Sequence, residues 1–335
     1  MIQSSFLIFT FHYDKYNFHF AGMEIREVDT SLQSSEDKIP YDSAPLHKKL
    51  IIEISKISEN LQLSSLFSPE SNTSRKKLIN FILPLSGRFS TFKRFMDVYE
   101  EICIKENQPT RLIVVLYTGD QYEDSLSLIN DIQMKYKTTE IKVKTVRESF
   151  ARGRAMHYGI AQVPGNELLF LIDVDIVFNT KSLLRIRQNT HRNVSVYFPI
   201  VYSLYNPEMF NKTYDVNNIN ALEKELILNE DNGLWRQFGF GIVSLYKSDF
   251  LKLGGFDESI DQWGLEDVNL YDNVVKSDLK IVRSVDTGLI HVYHPIECVD
   301  NLGAAQKIMC LGTKANIAGS MQDLQKYYLK NKLPR

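Results

Sequence analysis

The feature that most constrains the fold of this chain is an apolar run that ends in two carboxylates. Residues 168–172 are Leu-Leu-Phe-Leu-Ile, and Asp173 and Asp175 follow at once. A continuous rather than alternating run predicts a strand buried on both faces, as in a parallel sheet covered by helices. Ligands of open α/β sheets bind beyond the carboxyl ends of such strands. Two adjacent carboxylates are unfavourable there unless a cation or ligand compensates them, so the run predicts a binding site as well as a strand.

The segment upstream of this run alternates between strand and helix patterns. Apolar strands are predicted at 78–85, 112–116 and 141–146, and helices around residues 92–103, 122–136 and 151–162. Strands joined by crossovers of this length predict a doubly wound, nucleotide-binding α/β half. The second half differs: residues 194–201 read as one strand, and a turn at 231–233 precedes another apolar segment at 235–246. We therefore expect a mixed or antiparallel sheet there, forming the acceptor side.

The chain divides into three segments by composition. Residues 1–75 contain a mixed stretch and a polar linker, and they predict a stem-like segment; residues 76–325 form the main domain, and 326–335 a tail. The apolar amino terminus is too short to span a bilayer, and no transmembrane helix is predicted elsewhere. As written, the chain is expected to be soluble or to lack its anchor.

Charge and cysteine content restrict the class of protein. A net charge of -2 among 335 residues argues against a nucleic-acid partner, which calls for a basic surface. Three cysteines are too few for a disulfide scaffold and lack the spacing of a structural zinc site. Cys298 and Cys310 are close enough in sequence to bridge in an oxidising compartment, with Cys103 left free in a helical pattern; buried thiols are the alternative.

A metal site is predicted from the aspartate pair together with two histidines, His291 and His294. Carboxylate and imidazole ligands favour manganese or a similar ion over calcium, which prefers oxygen ligands alone. An i, i+3 spacing in an extended chain places the two imidazoles on opposite faces. Only a turn at His294-Pro295 lets both reach one ion, so His294 is the preferred ligand; packing histidines are the alternative.

A second acidic pair, Glu266 and Asp267, follows Trp263-Gly264-Leu265. The indole offers a flat surface to a sugar ring, and a carboxylate here can accept a proton from an attacking hydroxyl group. The alternative is an acidic pair at a helix amino terminus, since residues 265–275 have a helical pattern.

Basic groups for a diphosphate are also present. Arg88 follows the first strand, and Arg152 and Arg154 begin the third helix, where backbone N–H groups favour anions; each can equally be a solvated surface arginine. Three N-glycosylation patterns, at Asn72, Asn193 and Asn211, matter only in the secretory pathway. Together, the acidic pairs, histidines and arginines indicate a metal-dependent sugar-nucleotide transferase.

These motifs resemble, in their order along residues 76–325, the chondroitin N-acetylgalactosaminyltransferase and chondroitin synthase family, related to the β-1,4-galactosyltransferases. The resemblance is carried by residues 84–88 (PLSGR), 173–175 (DVD), 197–199 (YFP), 238–241 (FGFG), 254–257 (GGFD), 263–267 (WGLED) and 291–295 (HVYHP), with Cys298 and Cys310. Several motifs in one order are far more specific than any single motif.

The resemblance implies a GT-A fold, Mn²⁺, a UDP-sugar donor and inversion at the anomeric carbon. It implies transfer of N-acetylgalactosamine from UDP-GalNAc to a glucuronic acid end of a chondroitin-type glycosaminoglycan, and a Golgi location. The roles that it implies for single residues are as follows: nucleotide binding by Arg88 and Arg152, the metal motif at Asp173 and Asp175, a sugar pocket lined by Trp263 and Glu266, the catalytic base at Asp267, and a metal ligand at His294.

Three departures accompany the resemblance. Family members are normally anchored by an amino-terminal transmembrane helix, which this sequence lacks. Asn269 stands where the galactosyltransferase-like pattern has an acid, which concerns acceptor contacts. The chain has no room for the second transferase domain of bifunctional synthases. Two other interpretations remain: a catalytically silent, carbohydrate-binding partner in a complex with other chondroitin synthase subunits, and the same chemistry with a different UDP-sugar.

Overall fold

The structure is a computed structural model that describes residues 77–208, 228, 231–260, 264–300 and 302–331, with two short strands nearer the amino terminus. The chain divides into two compact units, Met1–Phe67 and Ser68–Arg335. In the first, strands β1 (His12–Asp14) and β2 (Asn17–His19) form an antiparallel pair.

The second unit contains eleven strands and eight α-helices within its described residues. The strands are β3 (Ile79–Leu85), β4 (Thr110–Tyr117), β5 (Ile141–Val146), β6 (Leu168–Leu171), β7 (Ile176–Phe178), β8 (Ser195–Tyr197), β9 (Ile200–Leu204), β10 (Gly233–Trp235), β11 (Val243–Tyr246), β12 (Lys280–Val282) and β13 (Val285–His291). The helices are α1 (Phe89–Tyr99, continued by a π-helical segment Glu100–Lys105), α2 (Tyr122–Lys135), α3 (Arg152–Ala161), α4 (Thr180–Asn189), α5 (Lys247–Lys252), α6 (Glu266–Val275), α7 (Ala304–Asn316) and α8 (Met321–Asn331).

The larger sheet has seven strands in the order β12-β8-β11-β6-β3-β4-β5. Its half β6-β3-β4-β5 is parallel, and helices α1, α2 and α3 are the crossovers. Every residue of β3 is buried, which agrees with the continuous apolar pattern of the sequence. The predicted doubly wound half is therefore confirmed.

Helix α3 lies directly against this parallel half. A Cβ atom at Gly159 would lie 2.4 Å from Cγ2 of Ile82 in β3, so a larger residue there would push the helix off the sheet. The close approach holds the first residue of α3, Arg152, beside the carboxyl ends of the strands.

The smaller sheet has four strands, in the order β10-β9-β13-β7, and is mixed, as predicted for the second half. The prediction of one strand over 194–201 is wrong, because β8 belongs to the larger sheet and β9 to the smaller one. Pro199 lies between them and has no N–H to continue a ladder. The amide of Phe198 donates to the carbonyl of Val282 (2.9 Å) and that of Ile200 to Ser284 (2.8 Å), so the chain changes sheets at the proline.

A second change of sheet creates the site. Strand β6 lies in the larger sheet and β7 in the smaller one, and residues 172–175 connect them. Because β7 pairs antiparallel with β13, Ile176 lies opposite His291. The amide of Val292 donates to the carbonyl of Asp175 at 2.9 Å. The aspartate pair and the end of β13 are thus fixed beside each other by main-chain hydrogen bonds.

The carboxyl-terminal segment is joined to the loop after β13 by a disulfide. Cys298 and Cys310 form this bridge, and Cys103 is a buried free thiol. Helix α8 runs across the boundary predicted between the main domain, which ends at 325, and the tail, which begins at 326. Asn193 is exposed in the turn before β8, whereas Asn72 and Asn211 lie outside the described residues. Within the described part of the chain, no helix combines the length and apolarity needed to cross a membrane.

Candidate metal centre and acidic pocket

Asp175 is the centre of the site. Its Oδ2 atom lies 3.0 Å from Nε2 of His294 and 3.2 Å from Nη1 of Arg88, and its Oδ1 atom lies 3.5 Å from Nε2 of His291. The side chain is only 5% exposed. Burial raises the pKa of this carboxyl, but its basic neighbours lower it by more, so the pKa lies well below its usual range. Asp175 is therefore an anion at neutral pH.

Both histidines reach Asp175, although an extended strand would separate them. Strand β13 ends at His291, residues 292–299 form no regular element, and no turn is found at His294-Pro295. The two ring centroids are 5.3 Å apart. The prediction that only a turn at His294-Pro295 brings the imidazoles together is wrong.

The hydrogen bond at the far side of the His294 ring fixes which ring nitrogen carries a proton. Nδ1 lies 3.0 Å from the carbonyl oxygen of Pro295, which can only accept, so Nδ1 is the donor. In the neutral ring, Nε2 then directs a lone pair at Oδ2 of Asp175, 3.0 Å away. Two acceptors at that distance require a proton or a cation between them.

His291, which is more buried than His294, also faces an oxygen atom of Asp175 that needs a proton or a cation beside it. Burial, reinforced by the charge of Arg236, lowers the pKa of His291 to about 3, so this imidazole is neutral at pH 7. Its Nδ1 atom lies 3.2 Å from the buried hydroxyl of Ser203. The facing Oδ1 atom of Asp175 is buried and has no hydrogen-bond partner among the described residues. A buried carboxylate oxygen of this kind is costly unless a cation binds it.

These observations fit a divalent metal ion. One ligand atom each from Asp175, His291 and His294 lies within 4.8 Å of the others. Carboxylate and neutral imidazole suit Mn²⁺, Fe²⁺ or Zn²⁺ better than Ca²⁺. The hydrogen bonds on the far side of both rings are the outer contacts that orient histidine ligands in metal sites.

Arg152 connects the remaining acidic residues. Its Nε atom donates to Oδ1 of Asp173 at 2.8 Å, Nη1 lies 3.4 Å from Oε1 of Glu266, and Nη2 donates to the carbonyl of Gly241 at 2.8 Å. Burial raises the pKa values of Asp173 and Glu266, and Arg152 lowers both. In this structure the Arg152 guanidinium contacts the carboxylates of Asp173 and Glu266, whereas the sequence motifs predicted that it binds the nucleotide.

The second acidic pair begins helix α6. Gly264 and Leu265 both have positive φ angles, 89° and 78°, and this tight entry turn is strained at the leucine. Glu266 is buried, and its Oε2 atom has no hydrogen-bond partner among the described residues. Asp267 is half-buried beside it. Trp263 lies outside the described residues, so its place in a sugar pocket stays a prediction.

The arginines around Asp175 differ from the predicted set. Arg154 lies 3.4 Å from Glu148, outside the cluster. Arg94 of α1 and Arg236, just after β10, interact electrostatically with Asp175, and neither was predicted from the sequence. Ser203 was also missed. Two sequence features could have identified them: Ser203 is a hydroxyl residue within the apolar strand β9, and Arg236 is a basic residue directly after Trp235.

Fold and site together define the class: an α/β protein in which carboxylates and imidazoles converge at the carboxyl edge of a doubly wound sheet. Residues 19–324 match the family described as chondroitin N-acetylgalactosaminyltransferase. The chain belongs to this family, and the resemblance predicted from its motifs is confirmed.

Individual relatives agree with this assignment. The chain is 36% identical over 282 residues to chondroitin sulfate synthase 3 of Homo sapiens, a match that covers 83% of this chain and 31% of that protein. It is 35% identical over 241 residues to chondroitin sulfate N-acetylgalactosaminyltransferase 2 of Mus musculus, covering 72% and 44%. The chain thus spans less than half the length of these curated relatives.

Among solved structures, the chain is similar to the catalytic domain of Drosophila beta1,4galactosyltransferase 7 in complex with xylobiose. The sequence identity is 12%, the TM-score is 0.41, and the match covers 70% of this chain and 79% of that one.

Proposed function

We propose that this chain transfers N-acetylgalactosamine from UDP-GalNAc to a hydroxyl group of a terminal glucuronic acid on a chondroitin-type glycosaminoglycan, with inversion at the anomeric carbon. The observation that carries the proposal is the convergence of Asp175, His291 and His294 at the sheet edge of a chain in this family. A Golgi location fits the Cys298–Cys310 disulfide, which calls for an oxidising compartment.

Asp175, His291 and His294 would hold Mn²⁺. When bound there, the ion supplies positive charge beside the diphosphate leaving group. Arg88 reaches the same carboxylate and follows β3, where nucleotide phosphates bind in open α/β sheets. It is therefore a candidate for the diphosphate itself.

Asp267 is the proposed base. Its carboxylate takes the proton of the acceptor hydroxyl while that oxygen attacks the anomeric carbon. The bond between this carbon and the diphosphate oxygen breaks in the same step, and its electron pair leaves with UDP. Asp173 and Glu266, held by Arg152, are the proposed polar contacts to the ribose and to the donor sugar.

A coupled assay tests the proposal. UDP release would be measured with UDP-GalNAc and a glucuronate-ended oligosaccharide, with Mn²⁺ and with a chelator. Metal-dependent release that requires the acceptor is the expected result, and product analysis by NMR should give the β-anomer. Turnover with a different UDP-sugar would replace the donor assignment. Retained oligosaccharide binding without turnover of any donor would indicate the silent partner instead.

A further inference from the structure

Asn193 lies in a tight turn that leads into β8. The amides of Val194 and Ser195 both donate to the carbonyl of His191, at 3.0 Å and 2.9 Å. The main-chain φ of Asn193 is 58°, in the left-handed region that asparagine adopts more readily than most residues. Its amide donates to Oδ2 of the buried Asp249 at 2.9 Å. The turn therefore holds an exposed asparagine in one fixed position.

The side chain of Asn193 uses its oxygen atom and leaves its nitrogen atom without a partner. Lys252 of α5 donates a hydrogen bond from Nζ to Oδ1 of Asn193 at 2.6 Å. An ammonium group can only donate, so the atom that faces it must be the amide oxygen. Within the part of the chain that the structure describes, Nδ2 makes no hydrogen bond. Nδ2 can therefore carry a substituent while the contact between Lys252 and Oδ1 stays in place.

The surroundings of Asn193 suit a glycan. Asn193 begins an Asn-Val-Ser acceptor pattern for N-linked glycans, and such bulky groups belong on a protein surface. Val194 is 48% exposed, so an attached sugar has an apolar side chain beside it. The Cys298–Cys310 disulfide calls for an oxidising compartment, and the secretory pathway, where N-glycans are attached, is one.

The turn lies at the edge of the larger sheet opposite to the metal cluster. Strand β8 pairs antiparallel with β11, and β11 pairs antiparallel with β6, so β8 and β6 run in the same direction. Asn193 precedes the amino end of β8, whereas Asp173 and Asp175 follow the carboxyl end of β6. A group attached at Asn193 therefore extends from the edge that does not carry the acidic pocket.

We propose that Asn193 carries an N-linked oligosaccharide, attached in the secretory pathway. In this modification, Nδ2 forms a bond to the anomeric carbon of an N-acetylglucosamine whose donor is a lipid-linked oligosaccharide diphosphate. The bond between that carbon and the diphosphate oxygen breaks, its electron pair leaves with the diphosphate, and Nδ2 loses one proton. The inference goes beyond the proposed function, because it concerns a covalent modification of the protein and not the reaction that the protein catalyses.

The test is mass spectrometry of the full chain, directed into the secretory pathway of cultured animal cells by a cleavable signal peptide. The variant Asn72→Gln/Asn211→Gln removes the other two acceptor patterns and leaves Asn193 alone. We expect a glycan on the peptide that contains residue 193. An amidase specific for N-glycans should remove this mass and leave aspartate at the position. An unmodified Asn193 in most of the secreted molecules would overturn the proposal.

Asn193→Asp, made in the same background, is the decisive variant. Aspartate removes Nδ2 but keeps an oxygen for Lys252 and tolerates the left-handed backbone, so the chain should fold and lose the glycan. Asn107→Asp is the matched control, because Asn107 is also exposed, has a φ of 51° and lies outside any acceptor pattern. It should keep the full glycan mass.

A glycan mass that persists in Asn193→Asp would place the modification elsewhere and refute the assignment. Because occupancy is measured as mass, the result does not depend on whether any donor sugar turns over. Failure of this inference and failure of the proposed function are therefore separate outcomes.

Discussion

Ser203 and His291 are register partners in the neighbouring parallel strands β9 and β13, and the Ser203 hydroxyl lies 3.2 Å from Nδ1 of the imidazole. Both side chains are buried. The hydroxyl can therefore orient the ring so that Nε2 is directed at Asp175. In metal sites such outer hydrogen bonds are worth about 10–100-fold in affinity.

We expect Ser203→Ala to weaken Mn²⁺ binding by about 10–100-fold while the ligands themselves remain in place. The measurement is the Mn²⁺ concentration at half-maximal turnover, supported by Mn²⁺ titration calorimetry. Ser244→Ala is the matched control, because the Ser244 hydroxyl is equally buried but bonds to Thr190 (2.8 Å). An unchanged Mn²⁺ affinity in Ser203→Ala would show that the ring is oriented without the hydroxyl.

Substitution of the metal ligands themselves should reduce turnover more than substitution of Ser203 does. Asp175→Asn and His294→Ala each remove a group from the cluster, so we expect metal-dependent turnover to fall by more than about 100-fold, beyond the usual cost of an outer contact. Added Mn²⁺ should restore His294→Ala in part, because Asp175 and His291 remain. If metal dependence persists unchanged in both variants, the metal lies elsewhere.

Asp267→Asn tests the base. The amide keeps the size of the side chain but cannot take the proton, so kcat should fall by about 10²–10⁴-fold. The KM for the donor should stay near the wild-type value. Asp131→Asn, an exposed carboxylate on α2, is the control. A loss of kcat of this size in Glu266→Gln, together with a mild effect in Asp267→Asn, would assign the base to Glu266.

The lowered pKa of His291 predicts that the folded protein loses stability as the pH falls. Burial, with Arg236, lowers its folded-state pKa from 6.5 to about 3. As pH falls through 6.5, the unfolded chain gains a proton at this position and the folded chain does not, so the free energy of unfolding decreases. The slope contributed by this group approaches about 1.4 kcal/mol per pH unit.

Denaturant unfolding of the metal-free protein in the presence of a chelator, at pH 7, 6 and 5, measures this slope. His291→Gln should reduce it by up to one proton equivalent. A slope that is the same in both proteins would mean that the folded protein accommodates a charged imidazole at this position.

The parts of the fold that the sequence predicts are those with strong local patterns. Strands β3, β4 and β6 contain continuous apolar runs, β5 alternates apolar and polar residues, and the position of Asp175 follows from the end of the run in β6. Residues 194–201 are just as apolar, yet they split between two sheets at Pro199. The split depends on which partner strands are available, and local sequence does not contain that information.

The same limit applies to the site. The chemistry of Asp175 and His294 is readable from residue type, but Ser203 and Arg236 join the site only through the register of β9 with β13 and through the fixed loop after β10. Their positions are tertiary properties. Arg152 was placed correctly at a helix start, and its carboxylate partners became visible only when three distant segments met.

The Cys298–Cys310 disulfide gives the last prediction. It closes a loop with a sequence separation of 12 and joins α7 to the segment that follows His294. A loop of this size stabilises the folded state by about 2–3 kcal/mol, chiefly by limiting the unfolded chain. The Cys298→Ser/Cys310→Ser double variant should lose about that amount in chemical denaturation. Because His294 lies four residues before Cys298, the Mn²⁺ affinity of the double variant should fall as well.

A reducing agent should shift the wild type to the stability of the variant and leave the variant unchanged. If the wild type does not respond to reduction, the bridge contributes nothing to holding this segment against α7.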